Sequence, residues 1–182
     1  MNPEPADILA VDPPALTPGE AIEVARATFG VSGTARPLVS ERDQNFALDS
    51  DDGSRWVLKV SNAAEDAGVV EMEVAAVEWI AAVDPELPVP RAHPTMDGTL
   101  VARIGIGGAT YLVRLLPLLG GRNARPDELD HAGVQGIGRT TARVGLALRG
   151  FFHPAAGRHI WWDQQHLPGL FPHAELIADP RR

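Results

Sequence analysis

Arg55-Trp56-Val57-Leu58-Lys59-Val60 is followed, after a short polar stretch, by an apolar run over residues 64–83, and the change of period between the two decides the fold. In the first segment side chains alternate, so Trp56, Leu58 and Val60 share one face of a strand while Arg55, Val57 and Lys59 share the other. In the second, Val70, Val74, Val77, Ile80 and Ala81 recur at helical spacing and make one stripe. Glu73 falls inside that stripe, whereas Glu71 and Glu78 fall on the opposite, wet face. Lys59, beside Val57, needs an anion because an unpaired charge is costly to bury. Glu73 is positioned to supply it, and a Lys59–Glu73 ion pair is expected. The plainer alternative has Lys59 snorkelling to water and Glu73 at the edge of the stripe.

Working outward, Asp51, Asp52 and Gly53 turn the chain back onto residues 46–48, and residues 35–40 supply a further strand. Between those two strands Ser40, Glu41, Arg42, Asp43, Gln44 and Asn45 concentrate hydrogen-bonding groups where a hairpin would need only Asn-Gly or Asp-Gly. Such a loop could cap phosphates through backbone amides, Ser40, Gln44 and Asn45, while Glu41 and Asp43 would repel them unless Arg42 or a metal ion neutralised them. On composition alone the plainer reading, a solvated turn, wins. Upstream, Thr17 caps a short helix through Pro18, Glu20, Ala25 and Phe29 that Gly30 ends. Downstream, residues 100–103 and 110–116 read as two strands joined by a turn at Gly105, Gly107 and Gly108, and residues 126–151 as a helix. The expected fold class is α+β, a five-stranded antiparallel sheet with one inserted helix and a helical extension.

Composition narrows the partners. The 182 residues carry a net charge of -8 with scattered basic residues, which gives no stripe to track a nucleic-acid backbone. No apolar run approaches the roughly 20 residues that span a bilayer, the start is acidic and Pro-rich, and neither membrane binding nor a signal peptide is expected. A cytoplasmic address follows as an expectation. With no cysteine there is no disulfide or thiolate site. Four histidines crowd the tail (His153, His159, His166 and His173), but they lack zinc-ligand spacing and prolines prevent one helix from aligning them. Structural roles beside Trp161, Trp162 and Asp163 are expected instead, and no metal ligand is assigned.

The strings LVSERDQNFAL, WVLKVSNAAE, MEVAAVEWIAAV, LPVPR, YLVRLLPLLGGR and FFHPAAGRHIWWD, in this order, resemble the start of hydroxylysine kinases and other members of the aminoglycoside-phosphotransferase and choline-kinase superfamily. The resemblance covers residues 17–182. It implies a protein-kinase-like N-terminal lobe over residues 17–121, behind a flexible lead-in of residues 1–16, with residues 122–182 as a helical linker and the incomplete start of a C-terminal lobe. It implies that Ser40, Arg42, Gln44, Asn45, Val57, Lys59, Glu73, Leu116 and Leu118 bind nucleotide. In that scheme Lys59 holds phosphates, Glu73 fixes Lys59, and residues 115–119 form a hinge for the purine base. It implies ATP or GTP with Mg2+ as cofactor, phosphoryl transfer to a hydroxyl of a small amine-bearing molecule, and a parent chain of the kind fused to an aminotransferase. The superfamily's His-Gly-Asp loop and its later metal-binding Asp have no match in this sequence. No catalytic residue is therefore assigned within the chain; the base and the Mg2+ ligands are expected beyond Arg182, in a missing catalytic lobe. Two readings follow: half of a small-molecule kinase, inactive alone, or a non-catalytic nucleotide-binding or interaction module that kept the fold. The first carries a further expectation of exposed apolar surface and self-association.

Overall fold

A computed structural model describes residues 11–157, 163–165, 168–169 and 171. The expected helix start at residues 174–182, a contact through Ile8 and Leu9, and the roles of His159, Trp161, Trp162, His166 and His173 lie outside the described residues. Helix α1 (Pro18–Phe29) opens with a capping box: Thr17 accepts from the Glu20 amide and Glu20 accepts from the Thr17 amide at 2.7 Å. The Thr17 amide and hydroxyl, both donating to the Glu20 carboxylate, hold that carboxyl below its ordinary pKa. Gly30, at φ 71°, ends the helix in the left-handed region.

Five antiparallel strands follow: β1 (Gly33–Leu38), β2 (Gln44–Ser50), β3 (Arg55–Val60), β4 (Ala102–Ile106) and β5 (Ala109–Pro117), in the spatial order β1-β2-β3-β5-β4. β3 is central, and helix α2 (Ala67–Val83) is inserted after it, as the sequence indicated. Pro37, which has no amide to donate, sits in the edge strand β1. Several bounds differ from expectation. β1 ends two residues early, at Leu38, because the polar loop begins sooner. β4 lies further along than residues 100–103: Gly105 pairs with Thr110 inside the sheet, and Gly107 and Gly108 alone, at φ 59° and 84°, make the tight turn that sets its register. α2 starts three residues late, at Ala67, where Asp66 accepts from the Gly68 amide at 2.7 Å.

Paired residues on antiparallel strands share a face. Phe46, Leu48, Leu58, Val60, Val113 and Leu115 point to one side and are buried against Ala21, Ala25 and Phe29 of α1. The last residue of the lead-in, Leu16, joins this core. Leu16 is 5% exposed, and its backbone amide and carbonyl both bond the Gln44 side chain at 2.8 Å.

The helical extension is shorter than residues 126–151. Pro126–Glu128 is a separate 3-10 turn, and helix α3 (His131–Ala147) begins only where Asp130 accepts from the Gly133 amide at 2.7 Å. Its Val144 and Ala147, with Leu148, pack against Ile80, Leu87 and Val89. Arg143 clasps Asp84 at the end of α2 with bonds of 2.8 and 2.6 Å, holding that carboxyl below its ordinary pKa, and Trp79 donates to the Ala147 carbonyl. Val134, Ile137 and Leu146 of α3 are exposed. Among the tail residues, His153 stacks on Phe151 and its ring nitrogen bonds the Ala155 amide, a structural role.

Candidate functional site

The face of the sheet opposite α1 carries an unusual row. Asn45 pairs with Lys59, and Lys59 pairs with Arg114, so an amide and two cations lie side by side across β2, β3 and β5. The next row toward the strand ends is apolar, Ala47-Val57-Leu116. Over the polar row the loop between β1 and β2 encloses an open cleft of about 240 Å³ lined by Ser40, Glu41, Arg42, Asp43, Asn45, Lys59, Glu65 and Glu73. Lys59 is the only lysine in the 182 residues.

The charges in this cleft are arranged in pairs. Lys59 Nζ lies 3.0 Å from Asp43 Oδ2, with the lysine side chain 29% and the aspartate 17% exposed. Arg42 donates to Glu65 at 2.6 Å, and Arg114 donates to Glu73. Asp43 uses its other oxygen, Oδ1, to accept from the Asn62 amide at 3.1 Å. Asn62 is itself buried, donating to the carbonyls of Val11, Asp12 and Arg42 and accepting from the Ala64 amide, so it ties the lead-in, the loop and the approach to α2 into one unit. Asn45 closes the loop by donating to Ser40 Oγ at 3.1 Å. Among the described residues, Arg42 Nε, Asn45 Oδ1 and Arg114 Nε are buried polar atoms without a hydrogen-bond partner, and all three belong to this cleft or its wall.

Seven of the nine residues singled out from the sequence meet at or beside this face: Ser40, Arg42, Asn45, Val57, Lys59, Glu73 and Leu116. Gln44 does not. It pairs with Val60 on the core side, where its side chain pins Leu16, because alternation along β2 sends it opposite to Asn45. Leu118 donates its amide to the Arg55 carbonyl at 2.9 Å, and the Leu115 carbonyl accepts from the His93 amide at 2.8 Å. The ion pair described for Lys59 comes from Asp43, while Glu73, 39% exposed at its side chain, takes Arg114. Glu78 leaves the wet face: its side chain is 29% exposed and accepts two bonds of 3.0 Å from Arg91 Nε. Asp43, Asn62 and Arg114 were missed. Arg114 could have been found, since a charge inside the apolar run Tyr111-Leu112-Val113-Arg114-Leu115-Leu116 poses the same burial problem that singled out Lys59.

Gln44→Ala is expected to lower stability by about 1–2 kcal/mol, because two bonds to Leu16 go, and to leave ligand affinity at the cleft unchanged. Denaturant melts and titrations of the same variant check both halves.

A model of the phosphotransferase enzyme family, APH, matches residues 34–174. The chain belongs to this family. Its APH relatives include a hydroxylysine kinase of Danio rerio, 30% identical over 148 residues that make up 78% of this chain and 41% of the relative. Another is a hydroxylysine kinase of Mus musculus, 27% identical over 186 residues, 92% of this chain and 49% of the relative. The chain thus spans about half the length of the curated relatives it matches. Among solved structures, an amicoumacin kinase in complex with AMP-PNP, Ca2+ and Ami superposes with a TM-score of 0.69 at 15% identity, covering 84% of this chain and 46% of that one. A microcompartment-associated aminopropanol kinase gives 0.60 at 23% identity, covering 85% and 48%. These two share the fold, which is that of a kinase-like N-terminal lobe with a helical extension.

Proposed function

We propose that this APH-family chain is the nucleotide-gripping part of an ATP- or GTP-dependent phosphotransferase, whose acceptor is a hydroxyl on a small amine-bearing molecule of the hydroxylysine type. One observation carries the reading. The single lysine projects from the central strand into an open cleft, flanked by Asn45 and overhung by a polar loop, with the apolar residues Val57 and Leu116 in the next row of the sheet. An ammonium so placed suits the phosphates of a nucleotide, and the apolar row suits its base. The hydroxylysine kinases among the relatives support the acceptor class.

Residues 17–121 form the gripping lobe in this proposal, and residues 122–182 lead toward a second lobe that supplies the base and metal ligands. Among the described residues no cluster of three or more His, Asp or Glu side chains forms a metal site. Mg2+ would come with the nucleotide and be held by ligands of that second lobe. Phosphoryl transfer needs positioning and charge neutralisation from both sides together. The 182-residue chain is expected to bind nucleotide and transfer nothing, in a cytoplasmic setting. At about a hundredfold excess over Kd, ATP or GTP should raise the melting temperature by roughly 5–10 °C, while turnover with hydroxylysine stays at background. Absence of any stabilisation by either nucleotide contradicts the proposal, and hydroxylysine-dependent turnover contradicts its second half.

A further inference from the structure

We infer that Asp43 sets how tightly this site takes a phosphate chain, acting as the internal competitor for the Lys59 ammonium. The inference rests on the proposed nucleotide reading for its biological use, but its chemistry concerns any phosphate chain. Asp43 Oδ2 lies 3.0 Å from Lys59 Nζ, on the cleft side of the sheet, where a phosphate oxygen would have to bind the same ammonium. The carboxylate is not a stray surface contact. It is 17% exposed, and its second oxygen is fixed by the amide of the buried Asn62, which the lead-in, the loop and the α2 approach all grip.

The surroundings reinforce the competition. Four carboxylates line the cleft, Glu41, Asp43, Glu65 and Glu73, against Arg42 and Lys59 and, paired to Glu73 from the wall, Arg114, an excess of one negative charge. Arg42 and Arg114 are engaged by Glu65 and Glu73. A polyanion therefore meets repulsion from Asp43 before it gains attraction from Lys59, and both act at short range in a partly shielded cleft, where such interactions are strong. Binding a phosphate chain replaces the Asp43–Lys59 contact with a phosphate–Lys59 contact. Asp43 then turns away or the loop shifts. The loop acid string Glu41-Arg42-Asp43 is thus a threshold on anion entry rather than a phosphate cap.

The test titrates inorganic tripolyphosphate, without divalent cations, into the full 182-residue chain as wild type, Asp43→Asn and Asp43→Ser. Asparagine keeps an oxygen for the Asn62 amide, so the local hub survives; serine guards against an effect peculiar to asparagine. Variants are compared once each melts close to wild type. Tripolyphosphate should bind both variants at least about fivefold tighter than wild type, or bind them where wild type shows no binding. Equal or weaker binding by the variants, including no binding by any of the three, overturns the inference and makes Asp43 a positioning group for Lys59 or a structural one. ATP and GTP titrated in parallel keep the two readings apart. Tripolyphosphate affinity that responds to Asp43, with nucleotides binding no tighter than tripolyphosphate, removes the nucleotide reading and leaves this one standing. Nucleotide binding that ignores Asp43 does the reverse.

Discussion

Lys59→Ala is expected to weaken ATP or GTP binding by about 2–3 kcal/mol, roughly 30- to 150-fold in Kd, with little change in the melting temperature of the unliganded chain. Two effects add. The ammonium's charge-assisted bonds to phosphate disappear, and Asp43, which lies 3.0 Å from that ammonium, then faces the ligand without its cation. The fold should tolerate the change because the lysine side chain is 29% exposed and the row beneath it is held by β2–β3 and β3–β5 pairing rather than by the ammonium. Isothermal titration of both proteins at one salt concentration measures it. Affinity within a factor of about two of wild type would remove Lys59 from the site, since a single charge-assisted bond is worth more than that.

Phe46→Ala is expected to cost about 3–5 kcal/mol, a large part of the roughly 5–15 kcal/mol that holds a domain together. Phe46 is fully buried among Leu48, Leu58, Val60 and the inward side of α1, and truncation leaves a cavity that a sheet paired on both sides cannot close. In urea the midpoint should fall by roughly 1.5–2.5 M with an unchanged slope. Val39→Ala, at a side chain open to solvent two residues before Glu41, should move it by less than about 0.3 M. Because Phe46 directly follows Asn45, this variant also separates the two faces of β2: stability falls through the core side, while whatever remains folded keeps its cleft.

Much of this was legible in the sequence because the decisive signals are periodic. Alternation through Arg55–Val60 fixed which side chains face the core and which face the cleft, and the change to helical spacing placed α2 after β3. The two-glycine turn at Gly107 and Gly108 was visible, but its register was not, since Gly105 looked like part of the turn and is a strand residue. In the site, Lys59 and Asn45 follow from strand parity. Gln44 was misplaced for want of that same parity, which sends it to the Leu16 side. The pairing of charges was not legible. That Lys59 meets Asp43 depends on how the five-residue loop between β1 and β2 folds over the sheet and on Asn62, whose bonds reach residues 50 and 51 positions away in the chain. Glu73 lay at helical spacing with buried valines, yet that spacing could not show that Arg114 on β5 would claim it.

The central claim is that phosphate of a nucleotide lands on Lys59, and the composition of the chain makes this directly observable. As the only lysine, it gives a single side-chain signal in a protein grown with isotope-labelled lysine. Adding ATP or GTP should move that signal progressively to a plateau, with the same dissociation constant that calorimetry gives. A nucleotide that binds by calorimetry while the lysine signal stays where it was would contradict the account.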